Sequence, residues 1–206
     1  MHEAKAAYFD ANVAAPWAAA EYGPEELTKL DRLFAHTGPV EGLRVLEPGC
    51  GTGRLTEILS DHVGPTGVVV ALDISPMMAE AARGRAATRE NVEIYLGAVE
   101  EFPMEKEEYD LIVCHQVFPH FEDKKKILTS LSNALKPEGR FIVIHFINFD
   151  EINDRHRKAG TAVETDMMPE QDEMQCLFDE SGLEIEFILN DHQGYFLSAS
   201  VKGCGK

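Results

Sequence analysis

Residues 45–55 read VLEPGCGTGRL, a short apolar run that ends in an acid and then opens into a loop of alternate glycines. The acid is Glu47, and the glycines are Gly49, Gly51 and Gly53. Glycine tolerates tight turns and a close approach of the backbone to a ligand. Such loops usually cradle phosphate, which a neighbouring carboxylate would repel. The stretch therefore predicts a strand followed by a binding loop whose ligand is not simply an anion.

Strand and helix signals alternate along the chain from residue 43. Short β-branched runs are followed by segments in which apolar residues recur at helical spacing. The runs are LRVLE, GVVVALDI, VEIYLGA, YDLIVCHQV and RFIVIHF, in chain order. Repeated strand and helix units indicate a parallel sheet with helices on both faces.

The chain ends in two further β-type runs, LEIEFILND and GYFLSASVK, separated only by His192 and Gln193. Two residues are too few for a crossover helix, so we expect an antiparallel hairpin. The predicted fold is α/β and Rossmann-like, with a seven-stranded sheet that is mostly parallel and has an antiparallel final hairpin strand.

Residues 1–42 are expected to form a helical lid segment, and residues 43–206 the binding domain. Within that domain, residues 147–168 are long for a strand-to-helix connection and resemble an insertion that covers a substrate. Two further segments are therefore predicted to surround the ligand.

Composition narrows the class of partner. The formal net charge of -17 opposes a nucleic-acid backbone or an anionic membrane surface. The four cysteines form no C-x-x-C pair, which is typical of a reducing compartment. No signal-peptide pattern is present, and no apolar run approaches the roughly 20 residues of a spanning helix. We predict a cytoplasmic protein with a small-molecule partner, no nucleic acid and no membrane, as a monomer or homodimer.

The acid in the loop favours a cationic ligand. The dinucleotide pattern G-x-G-x-x-G would need glycine at position 54, where this chain has Arg54. A carboxylate 4 Å from a phosphate charge costs about 4 kcal/mol at an effective dielectric near 20, whereas beside an ammonium the sign reverses. Asp73 ends the second strand, where an acid can accept hydrogen bonds from both ribose hydroxyls. The ligand is therefore expected to be a nucleoside with an amino-acid-like cation.

This pair of acids resembles the class I S-adenosylmethionine-dependent methyltransferases. Residues 47–53, EPGCGTG, match the family's E/D-x-G-x-G-x-G loop, which holds the methionine portion of the donor. Asp73 matches the acid that holds the ribose. The resemblance implies a methyltransferase enzyme with S-adenosyl-L-methionine as its cofactor.

The same resemblance implies further cofactor contacts. Ile74 and Met77 would sandwich the adenine, and Cys114 would line the pocket. The family often has an acid where this chain has Ala98, so adenine recognition would fall to the backbone around Val99 or to Glu100.

Histidines lie where methyl transfer is expected to take place. Ligands of open parallel sheets lie over the carboxyl ends of the strands, so the acceptor is expected near the exits of strands four and five. Methyl transfer requires alignment of the acceptor, and a base where the pKa of the acceptor is high. We predict His145 as the base or substrate anchor and His120 as the second catalytic candidate. Packing between Phe118 and Phe121 is the alternative for His120.

A metal ion offers another interpretation of these histidines. His120, His145 and His156 could converge on one, since three imidazoles suffice for a catalytic site. The spacing gives no pattern such as H-x-x-x-H, and no metal is assigned.

Two alternatives to a small-molecule methyltransferase stay open. One is a non-catalytic S-adenosylmethionine-binding sensor or assembly subunit, and the other is a nicotinamide-dependent oxidoreductase. The scaffold serves acceptors of many atom types, so the sequence leaves the acceptor undetermined.

Overall fold

The structure is a computed structural model that describes residues 2–160 and 162–203. Its seven strands form one sheet with the order β3-β2-β1-β4-β5-β7-β6. This confirms the predicted seven-stranded α/β sheet of the Rossmann-like kind. The chain divides into two compact units at the boundary between Phe102 and Pro103. Cys204, one of the four cysteines, lies outside the described residues.

The first unit contains three parallel strands and five helices in its described part. In β1–β2, Glu47 is opposite Ala71, and in β2–β3, Asp73 is opposite Leu96. The elements in chain order are α1 (His2–Ala11), α2 (Pro16–Ala19), α3 (Pro24–Thr37), β1 (Arg44–Pro48), α4 (Arg54–Val63), β2 (Val68–Asp73), α5 (Pro76–Arg85) and β3 (Val92–Leu96).

Local sequence explains how the two central helices of this unit begin. Gly53 adopts a left-handed conformation (φ 82°) immediately before α4. Ser75 caps α5, because its hydroxyl accepts a hydrogen bond from the Met78 backbone N–H at 3.0 Å, and Pro76 occupies the first turn. Both helices therefore start directly after the ends of the strands that carry the predicted site.

The second unit contains the other four strands. Strand β4 is parallel to β5, while β7 is antiparallel to both β5 and β6. The predicted hairpin is confirmed, because β6 ends at Asp191 and β7 begins at Gly194. The elements are β4 (Tyr109–His115), a 3-10 turn (Phe118–His120), α6 (Lys124–Ala134), β5 (Leu135–His145), α7 (Phe149–Lys158), α8 (Gln171–Glu180), β6 (Leu183–Asp191) and β7 (Gly194–Val201).

Strand β5 begins earlier than the run RFIVIHF predicts. It starts at Leu135, and its register with β4 shifts between Tyr109 and Leu111. Gly139 allows this irregular start, since a Cβ there would lie 2.7 Å from the Leu135 side chain and 3.0 Å from the Asp110 carbonyl oxygen. The strand ends at His145, as the sequence predicts.

Candidate functional site

Glu47 is a buried acid. Its side chain is 1% exposed, and the Thr56 hydroxyl of α4 donates a hydrogen bond to its Oε2 at 2.6 Å. No basic side chain pairs with it in the part of the chain that the structure describes. Burial raises the pKa of Glu47 to about 8; the Thr56 hydrogen bond lowers it, and the negative charge of Asp73 adds to the rise. The carboxyl is therefore mostly protonated at neutral pH unless a cation binds beside it.

The three predicted glycines have different roles. Gly49, Gly51 and Gly53 all have positive φ values, 69°, 57° and 82°. A Cβ on Gly53 would lie 3.0 Å from the Ala82 Cα, so this glycine allows α5 to pack against the loop. A Cβ on Gly51 would have no heavy atom within 4 Å, so this position faces open space. Gly51 thus fits a ligand contact, while Gly53 is explained by packing.

Asp73 organises the loop from the next strand. Its Oδ2 accepts a hydrogen bond from the Gly51 N–H at 2.8 Å, and its Oδ1 accepts one from the Ser75 N–H at 2.9 Å. Asp73 is 8% exposed. A carboxylate can accept about four hydrogen bonds. Its part in shaping the loop is therefore compatible with the predicted role toward ribose.

The predicted adenine contacts differ in exposure. Met77 is 50% exposed and Ile74 is half-buried, whereas Val99 is buried. The side chain of Leu96, opposite Asp73 in the sheet, is also exposed. Leu96 is not among the contacts predicted from the sequence, although an apolar residue at the end of a strand is a signal for one. These residues leave apolar surface beside Asp73, as a flat base would need.

Cys114 differs from the other predicted contacts. It lies in β4 of the second unit and has 0% exposure. Burial raises the pKa of its thiol. The side chain therefore packs in the interior of that unit and presents no surface to a ligand.

The N-terminal segment is fastened to the glycine loop. The Thr52 hydroxyl donates to the Ala18 carbonyl at 2.5 Å. The Arg54 guanidinium donates to the Ala20 and Trp17 carbonyls at 2.9 and 2.5 Å. The sequence alone predicts no role for Thr52 or Arg54, because their partners lie over thirty positions away.

A second attachment joins this segment to α5. Asp10 Oδ1 accepts hydrogen bonds from the Ser75 hydroxyl at 2.5 Å and from the Met77 N–H at 2.9 Å. The carboxylate adds negative charge at the start of α5, where the helix dipole favours it. The predicted lid segment is thus bound at two places within the first unit.

In the second unit, His145 ends β5 in a buried position. It is 5% exposed, and its Nε2 has no hydrogen-bond partner in the described structure. Burial lowers the pKa of His145 well below its usual range, and His115, His120 and His156 lower it further. The imidazole is therefore neutral at physiological pH.

His120 contacts both Asp166 and His156. The Nδ1 of His120 lies 2.7 Å from Asp166 Oδ2, and both side chains are largely buried. The rings of His120 and His156 have centroids 4.8 Å apart. His120 is therefore held by an acid and is not simply packed between phenylalanines. Asp166 was missed because it lies 46 positions from His120 and no local pattern marks it.

His115 occupies the exit of β4. Its Nε2 lies 3.0 Å from the Gln116 Nε2, and its ring lies 4.8 Å from that of Phe146. Gln116 has a φ of 54°, which side-chain-bearing residues rarely adopt. Backbone strain thus coincides with the strand end where histidines gather.

The metal hypothesis for these histidines lacks geometric support. Among residues 2–160 and 162–203, no group of three or more histidine, cysteine, aspartate or glutamate side chains is arranged to hold a metal ion. His120 is instead held by Asp166.

Comparison with known proteins identifies the family. A family described as "Methyltransferase domain" matches residues 39–182. The chain belongs to this family. The match confirms the predicted resemblance to methyltransferases.

Two curated relatives are similar over part of the chain. A demethylmenaquinone methyltransferase of Lactococcus lactis subsp. lactis is 34% identical over 109 residues, which are 52% of this chain and 43% of that protein. One of Staphylococcus aureus is 32% identical over 113 residues, 55% of this chain and 47% of that protein. The matched region thus spans less than half the length of either relative.

Solved structures share the fold of this methyltransferase-domain protein. A SAM-dependent methyltransferase from Aquifex aeolicus superposes with a TM-score of 0.66 and 20% identity, over 88% of this chain and 98% of that one. The PH0226 protein from Pyrococcus horikoshii gives a TM-score of 0.70 and 20% identity, over 93% and 98% of the two chains. At these identities the likeness shows the fold alone.

The first unit fits the family's cofactor. The buried Glu47 carboxyl has no basic partner among the described residues, so a bound ammonium would supply the missing charge. The open side of Gly51 gives a ligand backbone access to the loop. Both observations match a donor with a cationic methionine portion.

Proposed function

We propose that this chain transfers the methyl group of S-adenosylmethionine to a small-molecule acceptor. One observation carries the donor half of the proposal. Glu47 is a fully buried acid whose protonated form is favoured until a cation arrives, and it lies at the start of a glycine loop. An ionised carboxyl there would repel a pyrophosphate, whereas an ammonium would stabilise the ionised form of Glu47.

The donor contacts are proposed to be distributed over one continuous region of the first unit. Glu47 takes the ammonium, Asp73 takes the ribose hydroxyls, and Gly49 and Gly51 let the backbone approach the ligand. Adenine is proposed to contact the exposed side chains of Met77 and Leu96 and the half-buried side chain of Ile74, with the backbone around Val99 as predicted.

The acceptor half is proposed to use the histidines of the second unit. The bound donor supplies an electrophilic methyl group, so the protein has to orient the acceptor and remove its proton. His145 is the proposed base or anchor, and His120, held by Asp166, is the second catalytic group. The segment 147–168, which contributes Asp166, is proposed to cover the acceptor.

We also propose a location and an assembly state. The chain is proposed to act in the cytoplasm as a monomer or homodimer, without nucleic acid or membrane. Cys50, Cys114 and Cys176 are free thiols, as a reducing compartment requires. In the described part of the chain, no helix has both the length and the apolar character needed to cross a bilayer.

Radiolabelled methyl donor provides the test. The full chain is incubated with S-adenosylmethionine carrying a labelled methyl group and with a fractionated metabolite extract. Label in a small-molecule fraction, lost in the His145→Gln variant, supports the proposal. Donor binding without label transfer would favour the alternative, a non-catalytic S-adenosylmethionine sensor or assembly subunit.

A further inference from the structure

One sulfur atom of the first unit is open to solvent. Among the described residues of this unit, 2–102, the side chains that contain sulfur are Cys50, Met77 and Met78. Met77 is 50% exposed, whereas Cys50 is 7% and Met78 is 2% exposed. An oxidant that diffuses through solvent therefore reaches the Met77 thioether more readily than either of the other two sulfur atoms.

The chemical state of the Cys50 thiol also favours reaction at Met77. Burial raises the pKa of Cys50, and the negative charges of Glu47 and Asp73 raise it further. Oxidants attack the thiolate, so Cys50 stays a thiol of low reactivity. The thioether of a methionine has no proton to lose, and its reaction needs no change of charge. Exposure and ionisation therefore both select Met77.

The backbone of Met77 is fixed close to the proposed donor site. Its N–H donates a hydrogen bond to Asp10 Oδ1 at 2.9 Å. It follows Pro76 in the first turn of α5, four positions after Asp73. A chemical change of this one side chain is therefore made beside the acid that is proposed to bind the ribose.

We propose that Met77 is a redox modification site, and that its oxidation to the sulfoxide by hydrogen peroxide weakens the binding of S-adenosylmethionine. This inference rests on the proposed function, because the effect on binding requires adenine to contact Met77. The thioether is flexible and apolar, and it makes favourable contacts with aromatic rings such as adenine. The sulfoxide is polar, and covering its oxygen with the face of the base removes the water that solvates it.

The reaction balances with the peroxide as the added oxidant. A sulfur lone pair forms the S–O bond as the O–O bond of hydrogen peroxide breaks. The sulfur loses two electrons to the peroxide, and the departing hydroxide takes the remaining hydroxyl proton and leaves as water. Methionine sulfoxide reductases reverse the change with a dithiol, which becomes a disulfide as water is released. The donor affinity can therefore be lowered and restored.

Peptide mass spectrometry of the full chain in dilute hydrogen peroxide tests the site. Fragment ions distinguish the two adjacent methionines, and Met77 should gain one oxygen at least about fivefold faster than the buried Met78. Equal rates at the two positions would overturn the proposal.

Protection by the donor tests the link between oxidation and binding. Saturating S-adenosylmethionine should slow the oxidation of Met77 about fivefold or more, because oxidation that weakens binding implies binding that opposes oxidation. Met104, half-buried in the second unit, is the internal reference and should react at an unchanged rate. An unprotected Met77 in a protein that binds the donor would contradict the proposal.

Calorimetry measures the consequence for affinity. Dithiothreitol first reduces the reversible oxidation products of the thiols. The dissociation constant of S-adenosylmethionine should then be about tenfold higher for the oxidised wild type than for the untreated protein, as one covered polar group without a partner would give. Treatment with methionine sulfoxide reductases and a dithiol should restore it. An unchanged constant after complete oxidation of Met77 would refute the proposal.

Matched variants assign the effect to one residue. Met77→Leu replaces the thioether by an apolar side chain of similar volume that peroxide does not oxidise. The ratio of its dissociation constants after and before peroxide should be within about twofold of one, while Met104→Leu should keep the roughly tenfold change. A tenfold change that persists in Met77→Leu would contradict the proposal. If circular dichroism shows that Met77→Leu fails to fold, protection of Met77 by the donor in the wild type still decides.

Donor binding by the untreated protein separates this inference from the proposed function. Absent binding of S-adenosylmethionine would refute the proposed function and the effect on affinity, and a rapid oxidation of Met77 would still establish the modification site. Intact donor binding that does not change after complete oxidation of Met77 would refute this inference and leave the proposed function standing.

Discussion

The glycine loop of the first unit and the histidine cluster of the second use burial in opposite senses. Burial raises the pKa of Glu47 to about 8 and lowers the pKa of His145 well below its usual range. In both cases the neutral form is favoured, because low polarity disfavours charge of either sign. Glu47 can therefore ionise when a cation binds beside it, while the His145 ring stays neutral. One physical effect can therefore prepare two sites for different ligands.

Removal of the Glu47 charge should have the largest effect, and it tests whether this acid binds the cation of the donor. Glu47→Ala is expected to weaken binding of S-adenosylmethionine about a hundredfold or more, as truncation of one partner of a buried charge pair does. Glu93→Ala, at a half-buried acid on β3, is the control and should bind normally. Calorimetry gives both constants, and equal affinities would contradict the assignment.

Loss of His120 tests the histidine cluster of the second unit. His120→Gln is expected to lower kcat about a hundredfold, the usual scale of acid-base assistance, with little change in donor affinity. Asp166→Asn should lower kcat less, since it perturbs the orientation of the ring that it contacts. Steady-state assays on an identified acceptor measure both. An unchanged kcat in His120→Gln would remove this residue from the chemistry.

The buried acid also predicts a pH-dependent stability without donor. Glu47 has a raised pKa of about 8, so it stays protonated in the folded chain while the unfolded chain ionises near its usual value. Its contribution to the free energy of unfolding should therefore decline from about pH 4.5 to pH 8, by an amount of the order of a few kcal/mol. Denaturant titrations of the wild type and Glu47→Gln check this. The difference between them should grow across that window; a constant difference would contradict the raised pKa.

Loss of the Thr56 hydroxyl should have a smaller effect on donor binding. Thr56→Val removes the hydroxyl that stabilises ionised Glu47 and should weaken donor binding about tenfold. Thr129→Val, at an exposed position on α6, is the matched control. Calorimetric affinities within twofold of wild type in Thr56→Val would show that the hydroxyl is dispensable.

The smallest expected effect concerns the N-terminal segment. Arg54→Gln removes the guanidinium that donates hydrogen bonds to the Trp17 and Ala20 carbonyls. The change should increase proteolytic cleavage near residues 12–22 about twofold to fivefold. Arg157→Gln, at an exposed site on α7, provides the comparison. Limited proteolysis followed by mass spectrometry measures the rates, and equal rates would show that the segment is held by other contacts.

The donor region could be predicted because its parts are close in the sequence. Glu47 and the glycines lie within seven positions, and Asp73 follows at the end of the next strand. Strand and helix periodicity also gave the sheet and the final hairpin, since both depend on local patterns. The separate tasks of Gly51 and Gly53 needed the structure, because only packing against Ala82 distinguishes them.

The histidine cluster could be predicted only in part. The positions of His120 and His145 at strand exits suggested a site, but their partners depend on distant contacts. Asp166 contacts His120 across 46 positions of the sequence, and the Asn153 side chain forms two hydrogen bonds with the Met168 backbone. These contacts depend on how the segment 147–168 packs in the folded chain. The spacing of residues in the sequence does not show this packing.

Proton release on donor binding is the most direct test of the central claim that buried Glu47 receives the cation of the donor. Calorimetry at pH 7 in buffers of different ionisation enthalpy counts protons for the wild type and for Glu47→Gln. With a pKa of about 8, Glu47 should lose close to one proton as the cation binds, so the wild type should release about one proton more than the variant. Identical proton counts with S-adenosylmethionine bound to both proteins would contradict the account.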